Sequence, residues 1–206
     1  MAYVDLGDCI GSGNTGFSNS LVALDAETGA LRWDFSPIPS GNLGDLDFIA
    51  SPNLFTIPSG TTPRALVGVG SKNGVYYTVD RDTGAPVWQQ AVVSGGISGG
   101  VSPSTGVAFG KVYAATFTGP PYIFALDAER RRRVASSRQL RAFDAGTGAL
   151  LWKLDLGGDI TSGPAVVNDM VFVGVGLGPM GESQGVYGLG LERRHASART
   201  RTASLP

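Results

Sequence analysis

Residues 21–33 read Leu21-Val-Ala-Leu-Asp25-Ala-Glu-Thr28-Gly29-Ala-Leu-Arg-Trp33, and this pattern is the strongest indication of the fold because it recurs. A second copy runs from Tyr76 to Trp88 and a third from Leu140 to Trp152. Each copy places Thr-Gly three and four residues after an Asp, and a Trp eight residues after that Asp. Such self-similarity is the signature of repeat architectures, in which each unit buries its apolar face against the next.

Each copy predicts a tight β-hairpin. An Asp side chain at the start of a turn accepts hydrogen bonds from turn amides, and a Gly takes the positive φ that a chain reversal needs. The two-residue spacing of Val22 and Leu24 before the first turn is typical of a strand. The Trp offers a large flat apolar surface, so we expect it to wedge between neighbouring sheets.

Further strand-like runs lie between the copies, at 65–69 and 111–115, and after the third copy, at 170–175. One hairpin together with two more strands makes a four-stranded antiparallel sheet. The Asp residues of the first two copies are 55 positions apart, and a propeller repeat takes about 40 to 50 residues. The sequence therefore predicts an all-β protein that is a partial β-propeller with four-stranded blades.

The pattern breaks at a partial copy over 122–129. Its Asp127 lies 47 positions after Asp80, but an arginine-rich run replaces the Thr-Gly and the Trp, and Asp144 follows only 17 positions later. A spacing of that length is too short for four strands of about 5 residues each plus turns. We therefore divide the chain into propeller blades over 1–128, an irregular Arg-rich junction over 129–138, further blades over 139–191 and a disordered basic tail over 192–206.

The composition supports this fold class and excludes several functions. The 206 residues are 42% hydrophobic and 16% charged, with 31 Gly and 12 Pro, which suits many short strands joined by turns. A net charge of −1 provides no positive field for nucleic acid. Cys9 and His195 are the only residues of their types, which excludes an internal disulfide, a catalytic triad and a His-rich zinc site.

The basic residues concentrate in two stretches, with six of the 16 Lys and Arg within 130–141 and four within 193–201. Neither stretch has the interleaved aromatics of a nucleic-acid-binding arm, so we expect both to lie in solvent. The N-terminal residues lack the apolar core of a signal peptide, and no apolar run approaches the roughly 20 residues of a membrane span. We expect either a cytosolic chain or one whose true beginning is missing.

The Asp-x-x-Thr-Gly-x-x-x-Trp copies resemble the docking motif of alcohol dehydrogenases that depend on pyrroloquinoline quinone (PQQ), and of their propeller relatives. Three further stretches resemble the polyvinyl-alcohol dehydrogenase branch of that family: 16–25, 46–55 and 66–77. The resemblance implies an eight-bladed parent, of which this chain holds about three to four blades. Since 185–191 resembles the closing strand of such proteins, we expect a C-terminal portion.

The resemblance also implies a function. Family members hold PQQ and usually Ca²⁺ near the propeller axis, oxidise alcohols and pass the electrons onward, often to cytochrome c. They are periplasmic or secreted. A short Trp-Asp-aromatic segment supplies the base that takes the hydroxyl proton, and here Leu46-Asp47-Phe48 matches it with Leu in place of Trp. Asp47 is therefore the candidate base and a candidate Ca²⁺ ligand, with Asp45 two positions away and a plain turn aspartate as the alternative.

Two more residues carry the resemblance. Asn14 lies in a Gly-Asn segment like the one whose side-chain oxygen coordinates Ca²⁺ in the family, so Asn14 is a candidate ligand for the metal and neighbour of the cofactor. Lys72 matches the position where the family places a cation against the quinone oxygens, which raises the electrophilicity of the quinone. The alternatives are a turn asparagine and a solvated hairpin lysine.

Two functions are consistent with these patterns. The first is a fragment of a PQQ-dependent alcohol dehydrogenase, inactive by itself, with an alcohol as substrate. The second is a cofactor-free PQQ-like propeller that serves as a scaffold for protein–protein interaction. Such scaffolds need the Trp hairpins but not the trio of Asn14, Asp47 and Lys72, and the trio favours the enzyme.

Overall fold

The computed structural model describes residues 1–7, 16–38, 45–96, 99–118, 139–156, 160, 162–175, 185–190 and 200–203. Within these residues every regular element is a β-strand, which confirms the all-β prediction. The described part of the chain contains no helix with the length and apolar character needed to cross a membrane.

The first two sheets follow the chain order. The first is three-stranded, in the order β1 (Ala2–Asp5), β2 (Leu21–Leu24) and β3 (Leu31–Phe35). The second is four-stranded, in the order β4 (Asn53–Ile57), β5 (Arg64–Gly70), β6 (Val75–Asp80) and β7 (Pro86–Ala91). All neighbours are antiparallel, as expected for short strands joined by turns.

The other sheets have the same meander. The third is ordered β9 (Gly106–Ala108), β10 (Lys111–Ala115), β12 (Gln139–Asp144) and β13 (Leu150–Asp155). The fourth is ordered β14 (Ala165–Val167), β15 (Met170–Val175), β16 (Gly185–Gly190) and β17 (Thr200–Ala203). A short pair joins β8 (Gly99–Gly100) to β11 (Phe117–Thr118).

The third sheet takes strands from both sides of the predicted junction. β12 pairs with β10, with Asp144 opposite Lys111 and Leu140 opposite Ala115. The third full repeat copy therefore completes the blade that β9 and β10 begin, and the division at 129–138 falls inside one blade. The partial copy at 122–129 and the junction itself lie outside the described residues.

The predicted tail over 192–206 is described only at Thr200–Ala203. These four residues form β17, which pairs antiparallel with β16. They are a strand of the fourth sheet, where the sequence led us to expect disorder.

The repeat turns have the predicted structure in all three copies. The Oδ1 atom of Asp25 accepts hydrogen bonds from the amides of Glu27 and Thr28 and from the Thr28 hydroxyl. Asp80 and Asp144 do the same in their own turns. The glycines that end these turns have φ of 71°, 71° and 75°, at Gly29, Gly84 and Gly148.

Two of the three tryptophans clamp one sheet to the next. The ring of Trp33 covers Gly84 in the second sheet, and its Nε1 donates to the carbonyl oxygen of Arg81 at 3.0 Å. The ring of Trp88 covers Gly148 in the third sheet, and its Nε1 donates to the carbonyl oxygen of Ala145 at 3.1 Å. The predicted wedge is confirmed in both cases.

The hydrophobic core lies between consecutive sheets. The first two sheets enclose one cluster, formed by Leu21, Ala23, Trp33, Phe48, Val67, Val69, Tyr77 and Val79. The second and third sheets enclose another, with Tyr76, Val92, Val101, Val112, Ala114, Phe143 and Ala145. The third and fourth sheets enclose the last, which includes Tyr113, Leu140, Ala142, Val171, Val173 and Leu189, with Trp152 packed against it. The structure is therefore a partial β-propeller whose described blades are the four sheets.

Candidate active site

The candidate residues of the second blade lie at the end opposite to the repeat turns. Because neighbouring strands are antiparallel, the turns after β4 and after β6 are at one end of the sheet. The segment that enters β4 and the turn between β5 and β6 are at the other end. Asp47 is in that entering segment and Lys72 in that turn, so the fold brings both to one end of the blade.

Backbone contacts hold the two loops together. Phe48 forms an isolated antiparallel bridge with Ser71. The Lys72 amide donates to the carbonyl oxygen of Asp47 at 3.0 Å, and the Ser71 hydroxyl donates to that of Leu46 at 2.8 Å. The turn closes tightly because Gly74 has a φ of 85°. The positions of Asp47 and Lys72 are thus set by hydrogen bonds to the main chain of these loops as well as by their own side chains.

The side chain of Lys72 joins two carboxylates. Its Nζ lies 2.8 Å from Oδ1 of Asp47 and 2.9 Å from Oδ1 of Asp45. The side chains of Lys72, Asp47 and Asp45 are only 15%, 9% and 17% exposed. Asp45 reaches this position with a φ of 46°, a left-handed conformation that an aspartate tolerates better than most residues. Both aspartates considered from the sequence therefore belong to the same cluster.

The charges of the cluster act on Lys72. Burial lowers the pKa of the Lys72 ammonium, but hydrogen bonds and charge attraction from Asp47 and Asp45 outweigh burial and raise that pKa above its ordinary value. Lys72 is therefore held by ion pairs with Asp45 and Asp47. It is not the solvated hairpin lysine that was the alternative in the sequence analysis.

The first and third blades also border the cluster. A Cβ placed on Gly7, beyond β1, would lie 2.9 Å from Oδ2 of Asp47. Burial, and to a lesser extent the negative charge of Asp47, raises the pKa of the Asp5 carboxyl at the end of β1. On the other side, a Cβ placed on Gly100, in β8 of the third blade, would meet the carbonyl oxygen of Lys72. The cluster thus lies where three consecutive blades meet.

The ion pair is not a feature that every blade requires. Asp80 lies opposite Leu66 in the second blade, and Asp144 lies opposite Lys111 in the third. Counted from these registers, Gly100 and Phe117 of the third blade hold the positions of Asp47 and Lys72. Because the neighbouring blade forms the same backbone pairing without either charge, the pair marks a site particular to the second blade.

Of the two Ca²⁺ ligands predicted from the sequence, only Asp47 lies within the described residues. Asn14 lies outside the described residues. Within the described ranges no group of three His, Cys, Asp or Glu is placed to hold a metal ion, and Oδ1 of both aspartates faces the Lys72 ammonium. Carboxylate oxygens suit a hard cation, but the described residues do not by themselves make a calcium site.

The sequence did not reveal every neighbour of Asp47. Asp5 and Gly7 were not predicted, because their place beside Asp47 depends on how the first two sheets pack. Asp45 was noted only for its closeness to Asp47 in sequence. The spacing of two residues between the aspartates was the one signal that both could face a common partner.

Two family profiles match the chain. The profile of the β-propeller domain of glucose, ethanol and alcohol dehydrogenases, a PQQ-type profile, matches residues 7–105. A second PQQ-type profile, that of the outer membrane protein assembly factor BamB, matches residues 71–174. The first match contains all of the cluster residues described above except Asp5.

Characterised relatives and solved structures agree with these matches. The quinone-dependent quinate/shikimate dehydrogenase of Acinetobacter baylyi is 38% identical over 73 residues, which are 34% of this chain and 9% of that protein. The polyvinylalcohol dehydrogenase of Sphingopyxis sp. is 29% identical over 135 residues, covering 53% of this chain and 21% of that protein. The chain thus spans about a fifth or less of the length of these relatives.

A solved structure supports the fold alone. Sqt1 of Saccharomyces cerevisiae superposes with a TM-score of 0.57 at 15% identity, covering 87% of this chain and 41% of Sqt1. The repeat turns, the indole clamps and the two overlapping profile matches lead to one conclusion about identity. The chain belongs to the family of PQQ-like β-propellers.

Proposed function

We propose that this chain is part of a PQQ-dependent alcohol dehydrogenase, in which Asp47 takes the hydroxyl proton of the alcohol and Lys72 contacts a quinone oxygen. The family match over residues 7–105 supports the reaction class. The relatives named as quinone-dependent and polyvinylalcohol dehydrogenases support it further. The chain spans only a small part of those relatives, so the alcohol and the electron acceptor, with cytochrome c as a candidate, belong to the same proposal.

The observation that carries the proposal is the contact of 2.8 Å between Lys72 Nζ and Asp47 Oδ1 in a largely buried cluster. A proton acceptor must be held in one orientation to act on a hydroxyl group. Lys72 holds one carboxylate oxygen of Asp47, and the Lys72 amide holds its carbonyl oxygen. The base would therefore be oriented by both the side chain and the backbone of a single residue.

Lys72 also has a hydrogen-bond donor that could serve a quinone oxygen. An ammonium group has three N–H donors, and within the described part of the chain Asp45 and Asp47 account for two of them. The third donor would serve a quinone oxygen. PQQ, when bound, supplies the two-electron acceptor that alcohol oxidation requires, and this chemistry belongs to the cofactor. The assignment of Asn14 and Asp47 as Ca²⁺ ligands remains a prediction from the sequence, and no step here depends on it.

A PQQ titration of the 206-residue chain tests the proposal. PQQ absorbance and fluorescence would be followed with and without CaCl₂ for wild type, Lys72→Met and the matched control Lys153→Met, whose lysine lies exposed on β13. We expect Lys72→Met to bind PQQ at least about tenfold more weakly, because a charged hydrogen bond is lost, and Lys153→Met to bind as wild type does. Equal affinity of Lys72→Met and wild type would remove Lys72 from the site.

Dye-linked alcohol oxidation tests the role of Asp47. Asn in place of Asp47 keeps the size of the side chain but cannot accept the hydroxyl proton. Where the loaded protein oxidises alcohols, we expect Asp47→Asn to lower kcat by about 10²-fold or more while PQQ affinity changes little. Activity that survives this exchange would show that Asp47 is not the base.

A second candidate function rests on the match of residues 71–174 to the profile of an outer membrane assembly factor. In that case the blades would form a cofactor-free scaffold for protein–protein interaction. The same titration separates the two functions, since a scaffold would bind no PQQ at a protein concentration of about 0.1 mM, where affinities down to the millimolar range are still detectable.

A further inference from the structure

The main chain of Lys72 is held on both sides of its Cα atom. Its amide donates to the carbonyl oxygen of Asp47 at 3.0 Å, in the segment that enters β4. Its carbonyl oxygen accepts from the amide of Gly96 at 2.9 Å, in the segment that leaves β7 for the third blade. Because the backbone atoms of a residue fix the direction of its Cβ, these two bonds set the direction in which the Lys72 side chain leaves the turn.

The segment that leaves β7 lies directly on the backbone of the turn between β5 and β6. The Val92 amide donates to the carbonyl oxygen of Gly74 at 2.8 Å. A Cβ on Gly74 would meet the carbonyl oxygen of Val93, and a Cβ on Gly95 would meet the backbone of Asn73. Backbone therefore packs on backbone at these two glycines, where a side chain would separate the two segments.

Gly95 and its neighbour Gly96 differ in what they require. Neither has a φ in the left-handed region, so the local conformation does not demand a glycine at either position. A Cβ on Gly96 would meet no heavy atom within 4 Å, whereas a Cβ on Gly95 would collide with Asn73. Because the atoms met at Asn73 are backbone atoms, the turn itself must move to admit a side chain at Gly95.

We propose that Gly95 is a positioning residue for Lys72, because it lets the segment after β7 lie close enough for the Gly96 amide to hold the Lys72 carbonyl oxygen. A side chain at Gly95 lifts this segment from the turn and lets the ammonium group move away from Asp45 and Asp47. The value of this position for the cofactor rests on the proposed contact of Lys72 with a quinone oxygen. The effect on the place of the ammonium group does not.

The ion pairs of Lys72 tolerate little displacement. Its Nζ lies 2.8 Å from Asp47 and 2.9 Å from Asp45. A movement of the turn by about 1 Å would take these contacts beyond the roughly 2.7–2.9 Å of a charge-assisted hydrogen bond. The close approach at Gly95 therefore acts on the geometry of the cluster as well as on packing.

Gly95 separates this contact from turn strain better than Gly100 does. A Cβ on Gly100 would also meet the backbone of Lys72. Gly100, however, has a φ of 94°, so a side chain there is strained whatever its surroundings. Gly95→Ala changes the close approach alone, and Gly96→Ala, one position further in the same segment, is its matched control.

The ammonium signal of Lys72 tests the positioning role in the 206-residue chain. Ammonium protons held in ion pairs give a proton–nitrogen NMR correlation, whereas those of an exposed lysine such as Lys153 exchange with water and are lost. We expect the wild-type signal of Lys72 in Gly96→Ala, and a shifted or lost signal in Gly95→Ala. A merely stabilising role of Gly95 would leave the signal of the folded chain in place.

A PQQ titration of the same three chains tests the consequence for the cofactor. We expect PQQ to bind at least about tenfold more weakly to Gly95→Ala, because the charged hydrogen bond of Lys72 is misplaced, and to bind Gly96→Ala as it binds wild type. If wild type binds no PQQ while the Lys72 signal responds to Gly95→Ala alone, the proposed function fails and the positioning role stands. An unchanged PQQ affinity of Gly95→Ala would show that Gly95 does not serve the cofactor.

The folding of Gly95→Ala is checked before the signals are compared. Where this variant does not fold in buffer, the comparison is repeated in about 1 M trimethylamine N-oxide, which favours the compact state. The positioning role is wrong if the Lys72 signal is absent from wild type, is unchanged in folded Gly95→Ala or changes equally in Gly96→Ala. A Gly95→Ala chain that stays unfolded even with the osmolyte would also overturn it, since Gly95 would then serve stability.

Discussion

The indole of Trp33 lies directly on Gly84, so close that a Cβ at Gly84 would stand 2.8 Å from its ring, and real Cβ atoms do not come so near. Gly84 also has a φ of 71°. Gly84 therefore has two roles. It adopts the left-handed conformation of the turn, and its lack of a side chain leaves room for the Trp33 ring of the preceding blade.

Gly84→Ala should lower the free energy of unfolding by about 2–5 kcal/mol, because a left-handed alanine costs about 1–2 kcal/mol and overpacking against the indole adds about 1–3 kcal/mol. Gly29→Ala is the matched control, since Gly29 has the same φ of 71° and no neighbour within 4 Å. Urea denaturation of both variants measures the difference. Equal losses would mean that the indole contact adds nothing to the cost of the turn.

Trp88 contributes to stability in two ways, through the packing of its ring and through the hydrogen bond that its Nε1 donates. Trp88→Phe keeps an aromatic ring over Gly148 but loses the bond of 3.1 Å from Nε1 to the carbonyl oxygen of Ala145. We expect a loss of about 1 kcal/mol for the hydrogen bond and a further loss for the smaller ring. Trp88→Ala should cost about 3–5 kcal/mol in all. Thermal unfolding of the two variants separates these contributions, and similar losses for both would contradict the importance of the ring.

Lys72→Met should destabilise the chain by about 3 kcal/mol, because it leaves two largely buried carboxylates, those of Asp45 and Asp47, without their shared cation. Arg32→Met is the matched control, since the Arg32 side chain that pairs with Asp25 is 57% exposed. A surface ion pair contributes little to stability, so we expect little change there. Chemical denaturation at pH 7 compares them, and an equal effect of the two would show that the cluster is no stronger than a surface pair.

The charge of Lys72 also predicts a pH dependence. A raised pKa in the folded state means that the folded chain holds this proton more tightly, so the ion cluster contributes its full stability below the ordinary value of 10.5. That contribution is lost as the pH rises above 10.5 through the folded pKa. The stability difference between wild type and Lys72→Met should therefore shrink from pH 10 to pH 12 when denaturation is measured across that range. A difference that stays constant there would contradict the raised pKa.

Asp5 also predicts a loss of stability with rising pH, in a window that begins near pH 3.8. Burial raises the pKa of the Asp5 carboxyl above its ordinary value of 3.8, so the folded chain binds this proton more readily than the unfolded chain does. Stability from this group is present below pH 3.8 and is lost as the pH rises through the folded pKa. Asp5→Asn should therefore stabilise the chain at pH 7 and lose that advantage at pH 3. Asp34→Asn, on the same first sheet, is the control. A destabilised Asp5→Asn variant at pH 7 would show that the carboxylate charge is needed there.

The hairpins could be predicted from the sequence because the interactions that form them are local. Asp25 bonds to residues two and three positions along the chain, and Asp80 and Asp144 repeat that contact. The wedging of Trp33 and Trp88 followed from the size and flatness of the indole. The strand that completes the third blade could not be predicted from the sequence. Both 122–129 and 139–144 resemble a strand that could pair with β10, and the structure shows that β12 does so, across the arginine-rich stretch.

The all-β class and the repeat turns could be derived from the sequence alone, because each depends on residues within one hairpin. The wedging role of the tryptophans could be derived from their equal spacing after the turns and from the size of the indole. The sequence also named Asp47 and Lys72 singly. Three relationships became visible only in the folded chain. Lys72 bridges Asp47 and Asp45, Gly7 and Gly100 border this cluster from the neighbouring blades, and the turn at Gly29 has no indole over it. These relationships join residues far apart in the chain, and packing between sheets sets their distances.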